Sequence, residues 1–215
     1  MHTGFLFSLF KNDWQIAPID ENPWLGPTAA ALRESGASCS ACFKSGQWWR
    51  LFSAVIMPAG ATHLISTMAL VSVSAVITAR TGLGPAAFCS CMLISAVAGS
   101  ATTALTAPKT INSASFGLAS SAIATAVASV LSIRRLVESW VPVVALLAMM
   151  LLLLVLSSLP PLVDTWGTLA GALAGGLCAT AVMAPFTSRV RQCFAALLFL
   201  SCEVVMQQRF HHIAR

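Results

Sequence analysis

The sequence predicts an all-α membrane protein, a polytopic bundle of five to six transmembrane helices. Of the 215 residues, 57% are hydrophobic and only 9% are charged, whereas about a quarter of a soluble domain is charged. The mean hydropathy is +0.83. Apolar stretches of the ~20 residues that a membrane helix needs also recur along the chain.

Five apolar stretches are predicted to cross the membrane, at residues 51–78, 85–107, 113–133, 141–159 and 165–183. A sixth stretch, 193–206, is short and contains Glu203, so it is either a final span or an interfacial helix. Alternation with a period of two is absent. Because every backbone polar group in lipid must be bonded within its own segment, the spans are predicted to be helices.

The chain divides into three parts without a repeat or a linker. Residues 1–46 form an N-terminal region and loop, 47–192 form the helical domain, and 193–215 hold the short apolar segment and a basic tail. The apolar run 4–10 stops at Lys11 and is too short to cross a bilayer. We therefore expect an incomplete first helix, so that either the protein is naturally short or its true start lies upstream.

The positive charge is concentrated in the connections on one side of the predicted spans. The net charge is +5, and the basic residues of that side are Arg80, Arg134, Arg135, Arg189 and Arg191. The opposite side has Lys109 alone between spans. The positive-inside rule therefore places the basic side in the cytoplasm and the N-terminal loop outside or in a lumen. The charge indicates topology, and we expect no nucleic-acid partner.

Four ordered stretches carry a resemblance to a known family. They are Asn22-Pro23-Trp24-Leu25-Gly26-Pro27-Thr28 with Leu32 and Gly36-Ala37; Gln47-Trp48-Trp49-Arg50-Leu51-Phe52 with Met57-Pro58-Ala59-Gly60 and His63-Leu64-Ile65-Ser66-Thr67-Met68; Ser95-Ala96-Val97-Ala98-Gly99-Ser100; and Val163-Asp164-Thr165-Trp166-Gly167-Thr168-Leu169-Ala170-Gly171-Ala172-Leu173-Ala174-Gly175. In this order they resemble the first loop and the second, third and sixth helices of the rhomboid intramembrane proteases. The resemblance implies a rhomboid-like bundle.

The resemblance also implies a set of catalytic positions. Rhomboids use a Ser nucleophile in a Gly-x-Ser-Gly signature on the fourth helix, a His base on the sixth, and a His and an Asn on the second as oxyanion donors. A Ser hydroxyl is a poor nucleophile until a base takes its proton. A developing oxyanion needs donors aimed at it.

The base position is occupied by Thr168, which has no usable basicity near neutral pH. The other histidines, His2, His211 and His212, lie far along the chain from this position. On the second helix, His63 matches the oxyanion His, and Thr67 stands where the Asn is expected. Their spacing of four places both on one helical face. Because the other catalytic positions are not kept, a structural role for His63, bonding a neighbouring helix, is favoured over an oxyanion role.

Three registers are open for the nucleophile. Phe116-Gly117-Leu118 fits the sequence that follows the family's Ser, which places Asn112 at the nucleophile. The other registers use Ser115 or Ser120 and keep a Ser, but they lose the flanking glycines.

The glycine row Gly167, Gly171 and Gly175 is predicted to serve helix packing, because small residues four apart let two helices approach closely. Its expected partner is the side of the fourth helix that bears Ala114, Gly117 and Ser121.

The sequence therefore predicts a catalytically impaired rhomboid-like pseudoprotease, which binds single-span transmembrane clients and affects their trafficking or stability. A divergent active rhomboid serine endopeptidase is the alternative, and no oligomeric state is predicted. The lone Cys39-x-x-Cys42 pair favours a loop disulfide over metal, since zinc would need two further ligands. We expect no metal and no cofactor, and a multi-pass protein in the bilayer of the secretory pathway or the plasma membrane.

Overall fold

The computed structural model describes residues 1–106, 111–112, 115–132, 141–158 and 165–183. In this part of the chain, four short helices come first, and long apolar helices follow. The short helices are α1 (His2–Phe10), α2 (Ala29–Ser35), α3 (Ser40–Lys44) and α4 (Arg50–Ile56). The long helices are α5 (Ala61–Ala79), α6 (Pro85–Thr106), α7 (Ser115–Ser132), α8 (Val141–Ser158) and α9 (Thr165–Met183). The all-α prediction is confirmed.

The long helices agree with the predicted membrane spans. Helices α5, α6 and α9 are each long and apolar enough to cross a bilayer. Helices α7 and α8 contain shorter apolar parts, Gly117–Leu131 and Val144–Leu153. The predicted stretch 193–206 lies outside the described residues.

The first predicted span, 51–78, is not one helix. Helix α4 ends at Ile56, the chain runs through Met57-Pro58-Ala59-Gly60, and α5 begins at Ala61. Pro58 disfavours helical geometry at Met57 and donates no backbone hydrogen bond. Gly60 is needed for close approach, because a Cβ atom there would collide with the carbonyl of Trp24. The prediction missed this break because all four residues are apolar or small.

The loop before α4 is pinned to the helices by buried polar groups. Asn22 is fully buried, and its Nδ2 donates to the carbonyls of Pro27 (2.8 Å) and Ala59 (2.9 Å). The Arg50 guanidinium donates to the carbonyls of Arg33 (2.6 Å) and Ala37 (3.0 Å). Burial, and then the charge of Arg33, lowers the pKa of Arg50 from its ordinary value. These bonds hold the loop over the start of α5.

A short strand pair was not predicted. Strand β1 (Ser38–Cys39) pairs antiparallel with β2 (Ile111–Asn112), with Ser38 opposite Asn112 and Cys39 opposite Ile111. The disulfide that the sequence predicts joins Cys39 to Cys42 at this point. Two residues per strand leave no alternating pattern, so the pair could not be recognised in the sequence.

Helix α7 lies at the centre of the described bundle and packs against α5, α6, α8 and α9. Its side chains are small on several sides, and Ala119, Ala122 and Ala126 are fully buried. Ile123 is also fully buried and belongs to the main apolar cluster with Trp24 and Met57. A central helix of small residues lets its neighbours approach closely.

Candidate functional site

His63 lies in the first turn of α5 and is fully buried. Its Nδ1 accepts a hydrogen bond from the backbone N–H of Ala59 (3.1 Å). In a neutral imidazole, one ring nitrogen accepts while the other carries the proton. Because Nδ1 accepts from Ala59, the proton is on Nε2. His63 is therefore held as an Nε2–H donor, the form that an oxyanion donor requires.

The loop covers His63 from one side. The Trp24 ring lies 5.2 Å from the His63 ring, centroid to centroid, at a 40° tilt. The carbonyl of Trp24 accepts hydrogen bonds from the hydroxyl of Thr62 (2.9 Å) and from its backbone N–H (3.3 Å). In the sequence, Trp24 stands out only as part of the Asn22–Thr28 motif. Trp24 is two residues from Asn22, which donates to the carbonyl of Ala59 in the turn before α5. This proximity in the sequence was the one available indication that Trp24 lies near His63.

Thr67 follows His63 by one turn and is also fully buried, as the spacing of four predicts. Its Oγ1 has no hydrogen-bond partner within the part of the chain that the structure describes. The hydroxyls of Ser74 and Thr78, farther along the same helix, are also buried without a described partner. His63 and these three hydroxyls therefore face the bundle interior, whereas Thr62 and Ser72 of the same helix are exposed.

The glycine row of α9 lies against two helices rather than one. A Cβ atom on Gly171 would lie 2.7 Å from the carbonyl oxygen of Gly117, and one on Gly175 would lie 2.6 Å from that of Ser121. Both partners are on α7, as predicted, while Ala114 lies outside the described residues. Gly99 of α6 lies close to the carbonyl of Gly167. The first glycine of the row therefore also packs against α6, a contact that was not predicted.

The structure brings Ser120 to Thr168, the residue that the resemblance places at the base position. Ser120 is fully buried in α7, and its Oγ donates to the backbone carbonyl of Thr168 (2.7 Å) and to that of Gly117 (3.0 Å). Thr168 itself is 1% exposed. At this contact Thr168 presents a carbonyl oxygen to the Ser hydroxyl. A backbone carbonyl accepts a hydrogen bond but does not take the proton.

The other two nucleophile candidates lie before and at the start of α7. Asn112 is in β2, opposite Ser38, and Ser115 begins α7. Helix α7 runs parallel to α9, since Gly117 meets Gly171 and Ser121 meets Gly175. Ser120, about one turn after Gly117, is the candidate whose contact with Thr168 the structure describes. The sequence alone could not establish this contact.

Within the described ranges, no three or more His, Cys, Asp or Glu side chains cluster as a metal site would require. The polar groups brought together are thus a buried His donor on α5 and a Ser–Thr contact between α7 and α9.

The comparisons with known proteins agree with the bundle. A family model, the Rhomboid domain, matches residues 45–185. This match covers more than half of the chain and includes α4–α9, so the chain belongs to the rhomboid family. Neither the curated proteins nor the solved structures gave a match.

Proposed function

We propose that this protein is a catalytically impaired rhomboid-like pseudoprotease, which binds single-span transmembrane clients and affects their trafficking or stability. The observation that carries the proposal is the contact between Ser120 and Thr168. At the position where the family places its His base, the chain has a buried Thr whose backbone carbonyl accepts from the Ser hydroxyl (2.7 Å). A serine without its base retains little activity.

His63 does not replace the missing base. Its Nδ1 is occupied by the N–H of Ala59, and its Nε2 carries the proton in the neutral ring. Without a ring nitrogen to accept a further proton, it is suited to donating. Among the described residues, His63 therefore supports the role of an oxyanion donor, and Thr168 supplies no base.

A client-binding role is supported by the surface of the helices rather than by their interior. Large apolar side chains are exposed along α5, α8 and α9, among them Ile65, Val144 and Leu173. In a membrane these side chains face lipid or another helix. The loop disulfide, Cys39–Cys42, supports a bilayer of the secretory pathway or the plasma membrane, with the loop on the oxidising side.

The test is cleavage of a labile transmembrane reporter in membranes. Four forms are compared: wild type, Thr168→His, Asn112→Ser/Thr168→His and Ser120→Ala/Thr168→His. We expect no cleavage by wild type. Cleavage by the Asn112→Ser/Thr168→His double variant would establish the Asn112 register, and cleavage by Thr168→His that is lost with Ser120→Ala would establish the Ser120 register. Cleavage by wild type would overturn the proposal.

A divergent active serine endopeptidase is the second candidate, and the burial of Ser120 beside α9 favours it. Its test is Ser120→Ala in the wild-type background, with Ser121→Ala as the matched control. Ser121 is on the same helix, is also fully buried, and donates to the carbonyl of Met92 (2.9 Å). An active enzyme predicts loss with Ser120→Ala alone, and Ser115→Ala tests the remaining register.

A further inference from the structure

Two hydroxyls in the second half of α5 are buried and unpaired. Ser74 is 0% and Thr78 1% exposed. Over the described ranges, neither Ser74 Oγ nor Thr78 Oγ1 has a hydrogen-bond partner. A buried hydroxyl without a partner costs free energy, because it has lost its bonds to water and gained none. Both residues follow Met68 and so lie outside the stretches that carry the family resemblance.

Other buried hydroxyls of the bundle bond to their own helices. Those of Ser95, Thr103 and Ser129 each donate to the carbonyl four residues earlier, at 2.6, 3.1 and 2.7 Å. A Ser or Thr within a helix can satisfy its hydroxyl in this way. Ser74 and Thr78 do not make this bond, so both hydroxyls remain available to another partner.

The two hydroxyls lie on the side of α5 that packs against α7. Each is next in the chain to a residue that packs there. Ala75 packs against the apolar cluster that contains Ala122, and Ile77 against the one that contains Ala126. Both of these α7 alanines are fully buried. Because an alanine side chain has no polar atom, neither of them offers the hydroxyls a partner.

The spacing of Ser74 and Thr78 suits a single water molecule. Positions four apart lie on one face of a helix, with Cβ atoms roughly 5–6 Å apart. A water that bonds two hydroxyl oxygens at about 2.8 Å each joins oxygens about 5 Å apart. A buried water needs at least two polar partners, and each hydroxyl can both donate and accept. The pair therefore meets the requirements of a water site.

The site is close to the polar end of α5. Thr78 comes two residues before Arg80, which is exposed, and two residues correspond to about 3 Å of helix. The hydroxyl of Thr81 donates to the carbonyl of Thr78 (2.7 Å), so this turn carries further polar groups. Water therefore has a short route to the pair from the end of the helix.

We propose that Ser74 and Thr78 hold one ordered water molecule on the side of α5 that packs against α7. The water bonds both hydroxyls and replaces the bonds that they lost on burial. Its remaining bonding capacity is directed at α7, whose backbone carbonyls each keep a second lone pair. The proposal does not depend on client binding or on the catalytic positions.

The first test is a double-mutant cycle on the thermal unfolding of the full chain in detergent. The forms are wild type, Ser74→Ala, Thr78→Val and the double variant. We expect each single variant to lower the midpoint by about 2–4 °C, since the water and the other hydroxyl lose a partner. The double variant should fall no further than the lower single variant, because the shared water leaves with the second hydroxyl.

Two results of the cycle would overturn the proposal. A raised or unchanged midpoint in the single variants would show that the hydroxyls are dry, because removing an unpaired buried hydroxyl relieves its desolvation cost. Losses that add up in the double variant would show that no water is shared. The control is Ser72→Ala, at an exposed position of the same helix, which should leave the midpoint unchanged.

The water itself is detected by water-edited solid-state NMR of wild type in lipid bilayers. Magnetisation from water should reach Ser74 at least several-fold faster than Ser129, a fully buried serine whose hydroxyl is bonded within α7. In Thr78→Val, the rate at Ser74 should fall towards that at Ser129. Equal rates at the two serines in wild type would show that no water is held by the pair.

Discussion

A single hydrogen bond decides the chemical character of His63. The N–H of Ala59 occupies Nδ1, so the same turn that ends the Pro58 break also sets the tautomer of the ring. The sequence indicated His63 as an oxyanion residue through its position in a motif. It could not indicate the tautomer, because that depends on the geometry of the turn four residues earlier.

Asn22 is the side chain that fixes this turn. It is fully buried, donates to Pro27 and Ala59, and accepts from the N–H of Trp24 (3.0 Å). Asn22→Ala leaves these groups without partners, at a cost of roughly 1–3 kcal/mol each. We expect a lower thermal unfolding midpoint in detergent and faster proteolysis of the loop. Asp20→Ala, at an exposed position, is the control and should change neither.

Two adjacent glycines of α9 provide a test of helix packing. A Cβ on Gly175 would lie 2.6 Å from the Ser121 carbonyl, whereas one on Gly176 would lie 4.0 Å from the Ala124 Cβ. We expect Gly175→Ala to destabilise the protein by about 1–3 kcal/mol, and Gly176→Ala to be neutral. Thermal unfolding midpoints measured side by side decide this. Equal midpoints for the two variants would contradict the described α7–α9 contact.

At the scale of elements, the sequence predicted the helices that are long and uniformly apolar. Helix α9 has the predicted bounds, 165–183, and α6 differs from the predicted 85–107 by one residue. Helix α5 ends one residue after the predicted 51–78, and only its start differs by more. It missed what depends on contacts far along the chain. The break before α5 rests on the Trp24 carbonyl and Gly60, and β1–β2 rests on a pairing between residues more than 70 positions apart.

The Cys39–Cys42 disulfide holds the turn between β1 and α3. Both cysteines are buried, and the bond closes a loop of four residues. The chain-entropy relation gives about 2 kcal/mol for so short a loop. We expect Cys39→Ala/Cys42→Ala to lower the thermal unfolding midpoint by a few degrees. Maleimide labelling of the denatured protein should count two more thiols after reduction than before; equal counts would contradict the disulfide.

At the scale of the whole molecule, the arrangement of charge predicts the orientation. The basic connections lie on one side of the predicted spans, and the loop with the disulfide precedes α5 on the other side. Composition alone predicted the class of protein, a polytopic bundle. The nucleophile register stayed open in the sequence because residues 112–121 hold several small polar side chains; that Ser120 contacts Thr168 depends on the packing of α7 against α9.

Orientation is tested by labelling from each side of the membrane. Lys44 and Arg80 are both exposed and basic; Lys44 ends α3 in the region before α5, and Arg80 directly follows α5. With an impermeant maleimide on intact cells or sealed vesicles, we expect Lys44→Cys to react from outside or from the lumen. Arg80→Cys should react only after permeabilisation. The reverse result would show that the positive-inside assignment is wrong.

The pairing of β1 with β2 also has a mechanical consequence. Ser38 is joined to Asn112, and the carbonyl of neighbouring Ala37 is held by Arg50. The loop, the start of α4 and the chain entering α7 therefore form one linkage, and a force on the loop is transmitted to the central helix. A ligand that binds the loop would therefore also act on the chain that leads into the middle of the bundle.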